Sequence, residues 1–176
     1  MGNRTSSFTA QQKQNNKKPN FNSGNGMQTH TWGPLMWMFL HIMSFNYPVD
    51  PTGQQKMDYF NFLYALSNVL PCCHCRDNMI NNMKQANLSC DSFKDRASFS
   101  KFIYNLHKEV NKTLKKPVWL PPGTDNDEEA FDYLKKSIES CRARCSADKK
   151  PEQPGKHKGC VDPSYGGPLH CVVNFV

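Results

Sequence analysis

No run of eighteen or more apolar residues occurs in the 176-residue chain and its N-terminus is polar, so neither a membrane-spanning helix nor a secretory signal is expected. The protein should then be made and kept in the cytosolic space. A Gly-x-Gly-x-x-Gly fingerprint is missing too, which leaves a Rossmann-type nucleotide site without support. Alternating strand patterns and internal repeats are absent. Acidic residues are the minority, 15 against 22 Lys and Arg, for a formal charge of +7. Much of the lysine lies in the terminal segments, where it solvates the chain without defining a face for nucleic acid. The 38% hydrophobic content suffices for one domain with a modest core. Against this background the eight cysteines stand out. Cytosolic thiols stay reduced unless they are catalytic, metal-bound or redox-sensing.

Composition divides the chain into three parts. Residues 1–28 are rich in Asn, Gln, Ser, Lys and Gly and read as a disordered arm. Its start, Met1-Gly2-Asn3-Arg4-Thr5-Ser6, fits an N-myristoylation pattern at Gly2. Residues 29–145 carry helical periodicity, and residues 146–176 form a second loose, Lys/Pro/Gly-containing tail. Five helices are predicted. The first starts after Thr31 as N-cap and stops before Pro48, with Trp32, Met36, Phe39 and Met43 on one stripe and Trp37 and His41 on the next. The second covers Gln54 to Leu70, and the third about Cys73 to Lys84. The fourth runs from Ser98 towards Pro117 on the stripe Phe99, Phe102, Ile103, Leu106, Val110 and Leu114, flanked by His107 and Asn111. The fifth follows Thr124, with acidic residues in its first turn. Short loops between such helices define an all-α bundle.

Pro71-Cys72-Cys73-His74-Cys75 sets a Cys-x-x-Cys pair where a loop becomes a helix, a place where the helix N-terminus favours a thiolate. That motif alone suits either disulfide exchange or half of a zinc site. A zinc-stabilised scaffold would pair Cys72 and Cys75 with Cys141 and Cys145. It would not account for Trp37 with His41, or for His107 with Asn111.

Three blocks, Trp32-Gly33-Pro34-Leu35-Met36-Trp37-Met38-Phe39-Leu40-His41 with Tyr47-Pro48, then Leu70 to Cys75, then Leu106 to Pro117, together resemble the Erv/ALR sulfhydryl oxidase family in order and spacing. The resemblance implies a four-helix bundle with a short fifth helix, an FAD held among the helices, and a homodimer. It assigns Gly33, Trp37, His41 and Tyr47 to the flavin and adenine regions, and His107, Val110, Asn111, Leu114, Lys116 and Trp119 to the rest of the FAD pocket. It makes Cys72 the exposed sulfur that exchanges with dithiol proteins or a thioredoxin-like carrier, and sets Cys75 against the flavin. Electrons would pass through that disulfide and the flavin to molecular oxygen, giving hydrogen peroxide. A mobile shuttle pair is expected in addition, Cys160 with Cys171 or Cys141 with Cys145; no role is assigned to Cys73 beyond a small buried hydrophobe, and none to Cys90. Lys108 stands where the family usually has Asn, and no cysteines bracket the fourth helix, where Tyr104 and Leu120 lie. The sequence is similar in this to compact viral members, which implies a large cytoplasmic DNA virus as source. Substrates would then be virion proteins assembled in the host cytoplasm, and an acylated basic arm could add peripheral membrane contact.

Overall fold

The computed structural model describes residues 23–142. Five α-helices follow one another: α1 Thr29–Phe45, α2 Gly53–Val69, α3 Cys73–Gln85, α4 Arg96–Thr113 and α5 Asp127–Ser140, with a short 3-10 turn at Cys90–Phe93 before α4. Among the described residues there is no strand, only an isolated antiparallel bridge between Gly26 and Cys72. The all-α expectation holds, and none of these helices is long and apolar enough to cross a membrane. The Gly2 pattern, most of the 1–28 arm, the 146–176 tail and Cys145, Cys160 and Cys171 lie outside the described residues.

Helix starts follow side-chain capping more closely than the sequence pattern suggests. Thr52 and Gln55 form a reciprocal capping box on α2. Asp95 Oδ1 accepts the Ser98 N–H at 2.8 Å, so α4 begins at Arg96 and not at Ser98. Thr124 does not cap α5, because its hydroxyl donates to the Pro121 carbonyl at 2.7 Å. Asn126 takes the role, accepting from the N–H groups of Glu128 and Glu129. Helix α1 starts at Thr29, ahead of the expected Thr31 cap, because the Thr31 N–H closes a turn on the Gln28 carbonyl at 3.0 Å.

The core forms where α1, α2, α3 and α4 meet. Phe99, Phe102, Ile103 and Leu106 of α4 are all buried, as their spacing requires, against Leu40, Leu63, Leu66 and Met79. Tyr47, Tyr59 and Phe93 pack around Phe99 with ring centroids 4.7, 5.3 and 5.4 Å away. A smaller cluster of Phe45, Tyr104, Ala130, Leu134 and Ile138 seats α5. Polar contacts fasten the same junction. Tyr104 Oη donates to Asp127 Oδ1 at 2.9 Å, Lys108 Nζ lies 2.8 Å from Asp127 Oδ2, and Arg142 donates to the Phe45 carbonyl. Tyr104 and Lys108, two of the three positions singled out in the sequence, thus meet on one carboxylate. Phe39, placed on the apolar stripe of the first helix, is 52% exposed.

Candidate functional site

Cys72 is the N-cap of α3, and its sulfur accepts the Cys75 N–H at 3.3 Å. The bend before it is held by Arg76, whose guanidinium donates to the Leu70 carbonyl at 2.6 Å. Cys72, Cys73 and Cys75 are free thiols, as is the exposed Cys90. Helix placement alone would lower the thiol pKa, yet that of Cys75 is pushed up to about 12, by burial first and then by its hydrogen bond to Cys72 and the charges of Cys72 and Cys73.

Cys72 and Cys75 both line a cavity of about 480 Å³ bordered by α1, the end of α2, α3 and the C-terminal half of α4. Gly33, Trp37, His107, Val110, Asn111, Leu114 and Lys116 line it as expected, together with Asn78, Met79, Asn82 and Thr113, which were not anticipated. These additions were readable in part, since Asn78, Met79 and Asn82 fall three, four and seven positions after Cys75 on one helix face. A second cavity of about 310 Å³ shares His107, Asn111 and Lys116 with the first and adds His41, Trp119 and a rim of Lys108, Lys112 and Lys115. Two apolar-walled chambers, joined at a few polar side chains and bordered by lysines, fit an elongated ligand with a flat ring system and a charged middle.

Between the chambers the Trp37 and His107 rings stack at 4.0 Å with an interplanar angle of 8°, and His41 Nε2 shares a hydrogen bond of 3.1 Å with His107 Nδ1. Burial holds both imidazoles neutral, each lowered from 6.5 to about 3, with the neighbouring ring and Lys116 adding to the effect at His107. The unfolded chain binds protons on these histidines below its ordinary pKa of 6.5, whereas the folded chain does not until near 3. Stability is thus expected to fall as pH drops through that window, with a limiting slope of about 1.4 kcal/mol per pH unit for each histidine. Urea titrations between about pH 7 and pH 5, above the carboxylate range, will reveal it. An unfolding free energy independent of pH there would contradict a neutral, buried pair.

Three expectations need correction. Tyr47 lines neither cavity; it is fully buried in the core and donates from its hydroxyl to the Phe93 carbonyl at 2.9 Å. Cys72 is not the exposed sulfur: it is 8% exposed and its backbone pairs with Gly26, whereas Cys73 and Cys75 are half-buried. Cys73, in turn, is not a deeply buried hydrophobe, and it does not line the cavity. Cys141 lies just past the end of α5 at Ser140 and is exposed and disulfide-bonded. A disulfide sulfur cannot serve as a zinc thiolate, and among the described residues no group of three or more His, Cys, Asp or Glu could hold a metal.

A helical bundle with a Cys-x-x-Cys pair in the wall of an apolar cavity, beside a second cavity bordered by lysines, is the arrangement of a thiol–disulfide redox domain with room for a cofactor. Residues 34–136 match the Erv1/Alr family, and the chain belongs to that family. It is 30% identical over 112 residues to the probable FAD-linked sulfhydryl oxidase R368 of Acanthamoeba polyphaga mimivirus, across 63% of this chain and 78% of that protein. The mitochondrial FAD-linked sulfhydryl oxidase erv1 of Schizosaccharomyces pombe is 34% identical over 87 residues, or 49% of this chain and 47% of its own length. A putative FAD-linked sulfhydryl oxidase of invertebrate iridescent virus 3 is 30% identical over 86 residues, 49% of this chain and 57% of that protein. The chain thus spans less than half the length of cellular relatives such as the fission-yeast protein. The FAD-binding domain of Erv1 from Saccharomyces cerevisiae superposes with a TM-score of 0.52 at 24% identity, over 64% of this chain and 95% of that one, which shows the shared fold.

Proposed function

We propose that this chain is a flavin-linked thiol oxidase that forms disulfides in dithiol proteins, with FAD as cofactor and molecular oxygen as electron acceptor. The observation that carries this reading is the presence of both Cys72 and Cys75 in the wall of the cavity that ends at the Trp37–His107 stack. Gly33, Trp37, Val110 and Leu114 would hold the ring system. His107, Asn111 and Lys116 lie where the two chambers join, and His41 and Trp119 line the second. FAD, when bound, supplies a two-electron acceptor that oxygen restores with release of hydrogen peroxide.

In the oxidised pair, a substrate thiolate attacks Cys72 Sγ, breaking the Cys72–Cys75 bond and forming a mixed disulfide. The Cys75 sulfur leaves with the electron pair and takes up a proton, consistent with its raised pKa. The second substrate thiolate attacks its own sulfur in the mixed disulfide and expels Cys72. The substrate loses two electrons and two protons, and the pair gains the electrons.

A visible absorption spectrum of the purified protein tests the reading. A flavin band is expected that bleaches with dithiothreitol under anaerobic conditions and returns on aeration. A protein that cannot be loaded with FAD would overturn it.

Homodimerisation is supported by an apolar face of α1 and α2 on which Leu35, Phe39, Met57, Phe60 and Tyr64 are 41–68% exposed. Sedimentation as a monomer at micromolar concentration would remove that part. Kinship with viral proteins supports work on virion proteins in the host cytoplasm. Cys160 with Cys171, or Cys141 with Cys145, stay candidates for delivering electrons to Cys72, directly from substrate or from a thioredoxin-like carrier. The 1–28 arm is proposed as a peripheral membrane contact, and Gly2→Ala protein that still co-sediments with vesicles as the parent does would argue against acylation.

A further inference from the structure

The segment Asn25–Met27 pairs with the motif backbone to backbone. The Met27 N–H donates to the Pro71 carbonyl at 2.5 Å, the Cys73 N–H donates to the Asn25 carbonyl at 3.3 Å, and Gly26 bridges Cys72 between them. Trp32 Nε1 donates to the Met27 carbonyl at 3.3 Å and fixes the far end. Gly26 has φ +83°, and a Cβ built on it would fall 2.3 Å from Pro71 O and 2.9 Å from Pro71 C, both backbone atoms that cannot give way. No other residue could come this close. The consequence is chemical, because the residue that Gly26 pairs with is Cys72, which is only 8% exposed. In-line attack on the sulfur of Cys72 needs a free approach.

We propose that Asn25–Met27 is a displaceable strap seated in a polypeptide slot beside Cys72, and that an extended segment of the dithiol substrate pairs with Pro71–Cys73 in its place. This rests on the thiol oxidase reading for the identity of the substrate. Main-chain pairing suits an enzyme whose substrates share a dithiol and not a sequence, since such pairing reads no side chains. The glycine makes the exchange work in one direction. A substrate segment carrying side chains cannot press as close as Gly26 and sits further out, leaving the sulfur within reach of its own thiol. The strap is also cheap to lift. Its residues are exposed, and few backbone hydrogen bonds hold it, the usual profile of a locally opening segment.

The test needs no flavin, so it stands apart from the oxidase reading. In the reduced full-length protein, alkylation of Cys72 by iodoacetamide is followed by residue-mapped mass spectrometry. Gly26→Ala puts a methyl group into Pro71, and Met27→Pro removes the N–H given to Pro71 by a different route. Both should speed alkylation of Cys72 by about tenfold, the scale of removing a weak local closing equilibrium. Gly24→Ala, whose Cβ meets nothing within 4 Å, should react like the parent.

A second arm probes the slot. An extended peptide whose single cysteine is activated as a nitrothiobenzoate mixed disulfide is offered to the Gly26→Ala protein beside the same derivative of N-acetylcysteine. The Cys72 thiolate forms a bond to the peptide sulfur and the nitrothiobenzoate thiolate leaves, giving a coloured readout. Peptide capture several-fold faster than capture of the small reagent is expected. Unchanged alkylation of Cys72 in both strap variants would overturn the strap, and equal rates for peptide and small reagent would overturn the slot.

Discussion

Serine in place of Cys75 will lower dithiol oxidation by about three orders of magnitude or more, the scale of losing one member of a pair that acts as a unit. The fold should survive, because the exchange is nearly isosteric and Cys75 is only half-buried at the cavity wall. Cys72→Ser should be equally inactive, since no sulfur is left to form the mixed disulfide. The informative comparison is with Cys73→Ser. Cys73 is adjacent in sequence to Cys72 and half-buried, so sequence alone leaves it as a competing partner. In the structure it is Cys75 whose N–H reaches the Cys72 sulfur, and Cys75, not Cys73, that lines the cavity. Oxygen consumption with a reduced peptide dithiol should therefore persist in Cys73→Ser and in Cys90→Ser and vanish in the other two. Substantial turnover by Cys75→Ser, or its loss in Cys73→Ser, would mean that the reacting pair has been misassigned.

The proposed reacting pair is legible in the sequence because its determinants are local. A Cys-x-x-Cys at a helix start, and His107 one turn from Asn111, need only the helical repeat to be placed on one face. The buried stripe of α4 follows from the same rule, and every one of Phe99, Phe102, Ile103 and Leu106 is in the core. What escaped depends on partners far along the chain. Tyr47 could serve a pocket or a core equally well by type; its hydroxyl is committed to the Phe93 carbonyl in the turn before α4, 46 residues further along the chain. Phe39 carries the right period yet faces outward, since periodicity gives a stripe and not the neighbour that covers it. The burial of Cys72 was the least accessible feature. The segment paired with Cys72 is rich in Gly, Asn and Ser, which composition marks as unstructured, and it is held by main-chain pairing that leaves no trace in side-chain chemistry.

Phe99→Ala is expected to have the largest effect on stability. Phe99 is fully buried on α4 and meets the rings of Tyr47, Phe93 and Phe102 as well as Tyr59. Truncating such a side chain removes its transfer free energy and leaves a cavity that rigid aromatic neighbours cannot fill, at a cost of about 3–5 kcal/mol. Against a typical total of about 5–15 kcal/mol this should shift the urea midpoint strongly, with little change in the slope of the transition. The site lies further along the same helix, at His107, Asn111 and beyond, so the variant's cavity should be intact in whatever fraction remains folded. FAD binds only that fraction. At a hundredfold excess over its dissociation constant it should restore about 2.7 kcal/mol, raising the midpoint in step with ligand concentration. An unfolding midpoint within error of the parent's would show that the aromatic cluster does not anchor the bundle. A lowered midpoint that FAD fails to raise, in a variant whose parent is stabilised by FAD, would show instead that the cluster shapes the cofactor cavity itself.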